Sequence, residues 1–202
     1  MYLTKLNMDL RNRSIQQGLR DCTDMHRNIQ KIFNSNRTDA QLLYRLVSRG
    51  NSFAVYLMSA EEVREEMIDS DSGFSLAGSK CLDDFEKRIE TGNTYRFDLV
   101  AFPSKKIPNE KSRNSKRVFL SNETEQIEWL YRKAEAGGFI INSVSADRYD
   151  SITTNKKDHR ITLNQIHFYG SLTITDRSVF LNCWKGGIGP EKAYGMGMLM
   201  VR

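Results

Sequence analysis

The chain has 202 residues, of which 39% are hydrophobic, enough to fill one large core or two of ordinary size. It contains no apolar run of about 18 residues and no basic, apolar and small-residue leader, so neither a membrane helix nor export is expected and a cytoplasmic location is. Lysine and arginine exceed the acids by 30 to 25, giving a net charge of +5 and a pI near 9.1, which favours polyanionic partners without identifying one.

Residues 1–10 alternate in the manner of a strand, and residues 19–33 carry a helical pattern. Two β-leaning runs, 41–47 and 53–60, flank Arg49-Gly50-Asn51, which suits a hairpin. A charged segment at 61–67 reads as a short helix and 80–89 as a closing strand, so the first half runs βαββαβ. The second half repeats the order. Residues 95–102 alternate, then a basic loop spans 105–117 with Lys105, Lys106, Lys111, Arg113, Lys116 and Arg117. Asn122 is a candidate N-cap with Glu125 three residues on; Ile127, Leu130, Tyr131 and Ala134 share a face, and Gly137-Gly138 ends the helix. A strand follows at 139–144, then a long one through 166–174, with Ile161 and Leu163 out of phase and a bulge expected near Asn164-Gln165. Asp176 caps a helix that turns Phe180, Cys183 and Trp184 inward, and 193–201 closes the sheet. The expected fold class is α+β: two tandem ferredoxin-like, RRM-like βαββαβ domains, residues 1–91 and 92–202. That architecture hosts many functions and proves none. Cys22, Cys81 and Cys183 form no CxxC pair, which argues against zinc or a disulfide framework, so they are expected to be small buried side chains.

Five of the 13 glycines fall within residues 186–197. Glycine this dense lets the main chain take positive φ and approach another backbone closely, which can present peptide N–H groups to phosphate oxygens; a tight helix-to-strand turn is the plainer alternative. Nucleotide loops fail on spacing. No GxxxxGK[ST] occurs, Lys192 stands where GxGxxG needs its third glycine, and little chain follows Gly197 to build the required helix.

A helix followed by GxGxxKxxGxG and a terminal strand resembles the signature of CRISPR repeat-processing nucleases, with Gly187, Gly189, Lys192, Gly195 and Gly197 matching position by position. The opening Met1-Tyr2-Leu3-Thr4-Lys5, the stretch from Glu123 through Trp129 to Leu130, and Gly170-Ser171-Leu172-Thr173-Ile174 are similar to the CasE branch in particular. The resemblance spans both halves. It implies a metal-independent endoribonuclease without cofactors that recognises the CRISPR repeat RNA hairpin, cuts precursor RNA, retains the mature crRNA and joins the other Cascade subunits, with no membrane partner.

In that family a histidine on the first helix serves in cleavage, and here it is His26, in Asp24-Met25-His26-Arg27. Taken alone, His26 lies at the edge of the apolar arc of Cys22, Ile29 and Phe33, a place more often held by a packed histidine. The implied reaction is attack by the RNA 2′-hydroxyl, leaving a 2′,3′-cyclic phosphate and a 5′-hydroxyl; imidazole, with an unperturbed pKa of about 6.5, suits the proton transfers. No HExxH or paired-aspartate motif points to a metal site. The family places a basic hairpin where Lys156, Lys157 and Arg160 stand, and Arg11, Arg13, Arg20 and Arg27 surround the catalytic helix, where phosphate contacts would serve. Relatives commonly carry tyrosine at the position of Thr23, arginines at Asp98 and Val100, and asparagine at Phe102. These departures keep open a weakly active or binding-only subunit of the same fold. A general RNA-binding protein is the third alternative, against which the chain has no RNP1-like run.

Overall fold

The computed structural model describes residues 1–33, 35, 39–50, 52–108, 115–156 and 159–202, with residues 49, 155, 156, 159 and 160 described by backbone only. Strand β1 (Tyr2–Met8) leads into α1 (Arg13–Arg20) and α2 (Cys22–Gln30), two helices where the periodicity over 19–33 predicts one. Asp21 makes the break. Its extended backbone ends α1, and its carboxylate accepts the Thr23 N–H at 2.8 Å, so it acts as N-cap of α2, a role short acidic side chains prefer to a helix interior. Strands β2 (Leu43–Arg49) and β3 (Ser52–Ser59) form the expected hairpin. The helix read at 61–67 is a single 3₁₀ turn at Glu65–Met67, and the closing strand β4 (Phe74–Cys81) precedes the expected 80–89; that segment mostly holds α3 (Asp83–Arg88), whose first turn is acidic. The antiparallel order β2-β3-β1-β4 is that of a ferredoxin-like sheet.

The second sheet repeats it as β10-β5-β9-β8. It comprises β5 (Thr94–Ala101), β8 (Phe139–Lys156), β9 (His159–Ile174) and β10 (Leu199–Val201), shorter than the expected 193–201 because the glycine segment consumes the chain before it. The loop read at 105–117 begins and ends in a small ladder, β6 (Ser104–Ile107) with β7 (Lys116–Phe119); Lys111 and Arg113 lie outside the described residues. Helix α4 (Glu123–Ala136) is capped by Asn122 and α5 (Arg177–Gly186) by Asp176, as the sequence indicates. On α4 the buried face is turned toward Gln126, Trp129, Leu130 and Ala134, leaving Tyr131 exposed: the indole of Trp129 stacks on Phe168, and burying it sets the helix rotation.

Two further differences have simple causes. Both register shifts of this ladder lie in β8 rather than in β9: one at Asn142, and one opposite the expected bulge, where Tyr149 is the extra residue between the pairs Arg148↔Ile166 and Asp150↔Gln165. Leu163 is out of phase because it packs on the helix-free face of the sheet, with Val100, Phe102 and Met196. Of the cysteines, Cys22 is buried, Cys183 half-buried and Cys81 exposed, so only the first meets expectation fully.

In the first domain α1 and α2 cover the sheet through Ile15, Met25 and Ile29 against Leu6, Val55 and Leu57. The second core, built on Phe97, Leu99, Phe139, Phe168, Phe180 and Trp184, also takes in Leu43 and Met58 from the far face of the first sheet. One continuous apolar cluster therefore joins the domains, which fixes the first sheet against the glycine segment and β10. Among the described residues no helix is long and apolar enough to cross a membrane.

Candidate active site

His26 projects from α2 at the rim of the first core, half-buried, while Cys22, Met25 and Ile29 on the same helix are buried. Its ring stacks on Tyr44 of β2, with centroids 6.4 Å apart and planes inclined by 13°. Tyr44 is almost fully buried, and its hydroxyl donates to the Ala193 carbonyl at 2.7 Å. A methyl group at Gly195 would lie 3.0 Å from the Tyr44 ring. Thus a histidine from the first domain and the glycine segment of the second meet through one tyrosine. The sequence reading missed Tyr44, since a tyrosine in an apolar strand gives no signal beyond core packing.

The segment itself is a folded loop. Lys192 begins a 3₁₀ turn, and its ammonium donates to the Gly186 carbonyl at 2.5 Å, capping the C-terminus of α5 where the helix dipole favours a cation. Gly197 has φ +85°; its N–H donates to the Val100 carbonyl at 2.7 Å and its carbonyl accepts from Ile188 N–H at 2.8 Å. Gly187 packs on Leu43 and Gly189 on the Trp129 indole, so the glycines have a reason in packing whatever they bind. Beside the loop lies a concavity of about 590 Å³ that includes Gly187, Gly189 and Pro190 and is edged by Lys192 of the loop and by Arg117 and Lys133 from outside it. Three cations around it favour an anionic occupant.

Of the other predicted residues, Arg27 is exposed and pairs with Asp24 at 3.0 Å, and Arg20 is exposed at the end of α1. Lys157 lies outside the described residues, as do the side chains of Lys156 and Arg160. Their strand is nevertheless rooted beside the helix of His26. Thr154 of β8 is buried with its hydroxyl 2.5 Å from that of Thr23, and Thr153 donates to the Arg20 carbonyl at 3.0 Å. Cys22, next to Thr23, is no nucleophile near neutrality: burial pushes its thiol up to about 11, with Asp21 and Glu191 adding to the shift against a hydrogen bond from Thr154. Among the described residues no three His, Cys, Asp or Glu side chains are grouped to hold a metal ion.

The threonine pair makes a test. Thr154→Val and Thr23→Val should each cost about 1 kcal/mol, and the double variant little more than either, because each hydroxyl has lost the same bond. Additive losses in urea unfolding would show that the two hydroxyls act independently.

The CRISPR associated protein family pattern matches the chain over residues 1–202. The chain is 27% identical to the CRISPR-associated endoribonuclease Cse3 of Thermus thermophilus, over all of this chain and 99% of that protein. It is 30% identical to the CRISPR system Cascade subunit CasE of Escherichia coli K12, over 98% of each. The chain belongs to the CasE family. Cse3 bound to a 19-nucleotide RNA superposes on the whole chain with a TM-score of 0.85 at 27% identity, and a Thermus thermophilus Cse3 bound to RNA as a pre-cleavage complex with 0.83 at 26%. Against the CasE pattern, each departure has a local account. The hydroxyl of Thr23 is committed to Thr154, and Val100 and Phe102 belong to the small apolar cluster. Asp98 receives a hydrogen bond from the buried Arg45 guanidinium of β2 and lies 3.1 Å from Nε2 of His167, tying the two sheets together.

Burial opposes ionisation of Asp98, but the hydrogen bond and charge of Arg45, with His167, outweigh it and hold the carboxyl below the usual carboxylate range. A depressed folded-state value means that the pair stabilises the fold above the unfolded value, near pH 4, and that this contribution is lost as pH falls through the folded one. Asp98→Ala should cost about 1–3 kcal/mol near neutrality, toward the lower end since the carboxylate is partly exposed, by leaving Arg45 buried without it. Thermal melts from pH 7 to pH 3 should show the gap between parent and variant closing in acid; a constant gap would mean that the loss does not come from the charge.

Proposed function

We propose that this chain is an endoribonuclease of CRISPR RNA maturation: it binds the repeat hairpin of the precursor transcript, cuts it with His26 and keeps the mature crRNA as a Cascade subunit. The observation that carries the reading is the stack of His26 on Tyr44, whose hydroxyl is anchored on the glycine segment. It sets an imidazole, the side-chain type best suited to proton transfer, against the loop that carries Lys192. The names of the Cse3 and CasE relatives, and the RNA in the structures of Cse3, support the substrate.

In the proposed reaction the 2′-hydroxyl loses its proton as its oxygen bonds to the adjacent phosphorus. The bond from phosphorus to the 5′-oxygen breaks, and that oxygen takes up a proton, so a 2′,3′-cyclic phosphate and a 5′-hydroxyl result. His26 is assigned one of the two transfers. Lys192, Gly187, Gly189, Gly195 and Gly197 form the loop side of the site, while Arg20 and Arg27 face phosphates near the cut; Lys156, Lys157 and Arg160 grip the stem. A hairpin in this role would read backbone and shape, because the A-form major groove admits few side chains.

A second reading, a subunit that holds guide RNA without efficient cutting, is favoured by Thr23, whose hydroxyl already has its partner in Thr154. Incubation with the repeat encoded beside its own gene separates the two. The enzyme should yield one shorter RNA with a cyclic-phosphate end, undiminished in excess EDTA with the hairpin still folded. Binding without cleavage would select the second reading, and activity that EDTA removes and Mg²⁺ restores would overturn the mechanism.

A further inference from the structure

Both sheets are covered by helices on one face only, and their other faces meet across a cleft. On the first sheet Arg45, Tyr56 and Lys5 are cross-strand neighbours in one row, so they share the face that looks toward the second domain. On the second sheet Arg96, Asp98, Arg202, His167 and Tyr169 line two adjoining hollows, of about 230 and 520 Å³, that share Arg96, Asp98 and Arg202. Arg45 and Asp98 cancel one another. Lys5, Arg96 and Arg202 are exposed, and none of the three makes an ion pair among the described residues; against them stands Asp147, opposite His167 on the same face, so the cleft keeps a positive balance.

Its floor is aromatic. Tyr149, His167 and Tyr169 form a continuous run of rings, with centroids 5.6 and 5.0 Å apart. The bulge in β8 aims Tyr149 into this run. Tyr169 is 40% exposed; Tyr149 is 37% exposed and carries the Arg45 guanidinium 5.5 Å from its ring centroid. Exposed rings on an open sheet face beside unpaired cations match what unstacked bases and their phosphates require, whereas a paired stem offers no free base faces. No RNP1-like run supplies this platform; β8 and β9 build it instead.

We infer that this cleft binds single-stranded RNA adjoining the hairpin, with bases stacked on Tyr169 and its neighbours and phosphates on Arg96 and Arg202. The inference rests on the proposed repeat-processing role. Strand β8 gives the path: from Tyr149 in the cleft to Thr153 and Thr154 against the helix of His26 is roughly 15 Å of extended chain. A strand leaving the cutting site can therefore reach the cleft.

The test compares three RNAs in titrations with the intact protein: the repeat hairpin alone, the hairpin with a single-stranded 5′ extension, and the hairpin with a 3′ extension. One extended RNA should bind roughly five-fold tighter or more than the hairpin, the scale of one stacked base. Tyr169→Ala and the pair R96Q and R202Q should each abolish that gain while leaving hairpin affinity unchanged, and Tyr169→Phe should keep it. Iodouridine placed in the extension should crosslink to Tyr169 or Tyr149 in the parent protein, a readout that needs no variant to fold. No gain from either extension, a gain that survives Tyr169→Ala, or crosslinks confined to the helix side would overturn the assignment with the repeat-processing role intact. Failure to bind the hairpin itself would instead remove that role. Variants with unchanged RNA affinity that no longer assemble with the other Cascade proteins would give the cleft to a protein partner, and would overturn it too.

Discussion

His26→Ala should slow single-turnover cleavage of the cognate repeat by roughly 10²-fold or more, the scale of one general acid or base, while leaving hairpin affinity nearly unchanged. In the proposed reaction the two effects separate, because the imidazole would act on the reacting phosphate, whereas affinity would be spread over many cationic contacts along the RNA. His26 also packs on Tyr44, so a structural loss has to be told from a chemical one. His26→Gln fills much of the same space without a group that titrates near neutrality, and it should be as slow as the alanine variant. Cleavage at the parent rate in either variant would end the proposal. Equal loss of binding and cutting, together with a lower melting temperature, would make His26 a packing residue of α2.

How much of this was legible in the sequence depends on the range of the interaction. Caps are local, so Asn122 and Asp176 could be named in advance from a side chain and the N–H three residues on. Asp21 had the same chemistry but sat inside an apolar period long enough for one helix, and the period concealed the break. The rotation of α4 depends on Trp129 meeting Phe168 from a strand nearly forty residues away in the chain, which no pattern within the helix records. The same holds at the site. The residue types of His26 and the glycine segment are visible as motifs, but the bond from the Tyr44 hydroxyl to Ala193 and the Thr23 to Thr154 bond join the two domains, and they exist only once both sheets are packed. Asp98 is the clearest case: in sequence it is a departure from a family pattern, and in the fold it is the partner of a buried arginine.

Gly197→Ala should destabilise the protein in the absence of any RNA. At φ +85° a residue with a Cβ pays about 1–2 kcal/mol for the left-handed conformation. The new methyl would also stand 2.6 Å from the Ile188 carbonyl oxygen, a backbone atom that cannot rotate away. Relief means moving one of two strands of chain that Gly197 joins by hydrogen bonds, to Ile188 on one side and Val100 on the other. A loss of at least about 2 kcal/mol follows, which lowers the melting temperature by roughly 4–8 °C in a chain of this size. Gly186→Ala is the control at the neighbouring glycine just before the motif: it ends α5, an added Cβ there meets nothing within 4 Å, and its effect should stay within about 0.5 kcal/mol. Were phosphate contact the only reason for glycine, Gly197→Ala would melt like the parent and lose RNA affinity alone. If packing is the reason, the damage spreads from the loop to Ala193 and Gly195, which seat Tyr44, and through Tyr44 to His26. Cleavage by the Gly197 variant should then fall even at temperatures where it is fully folded.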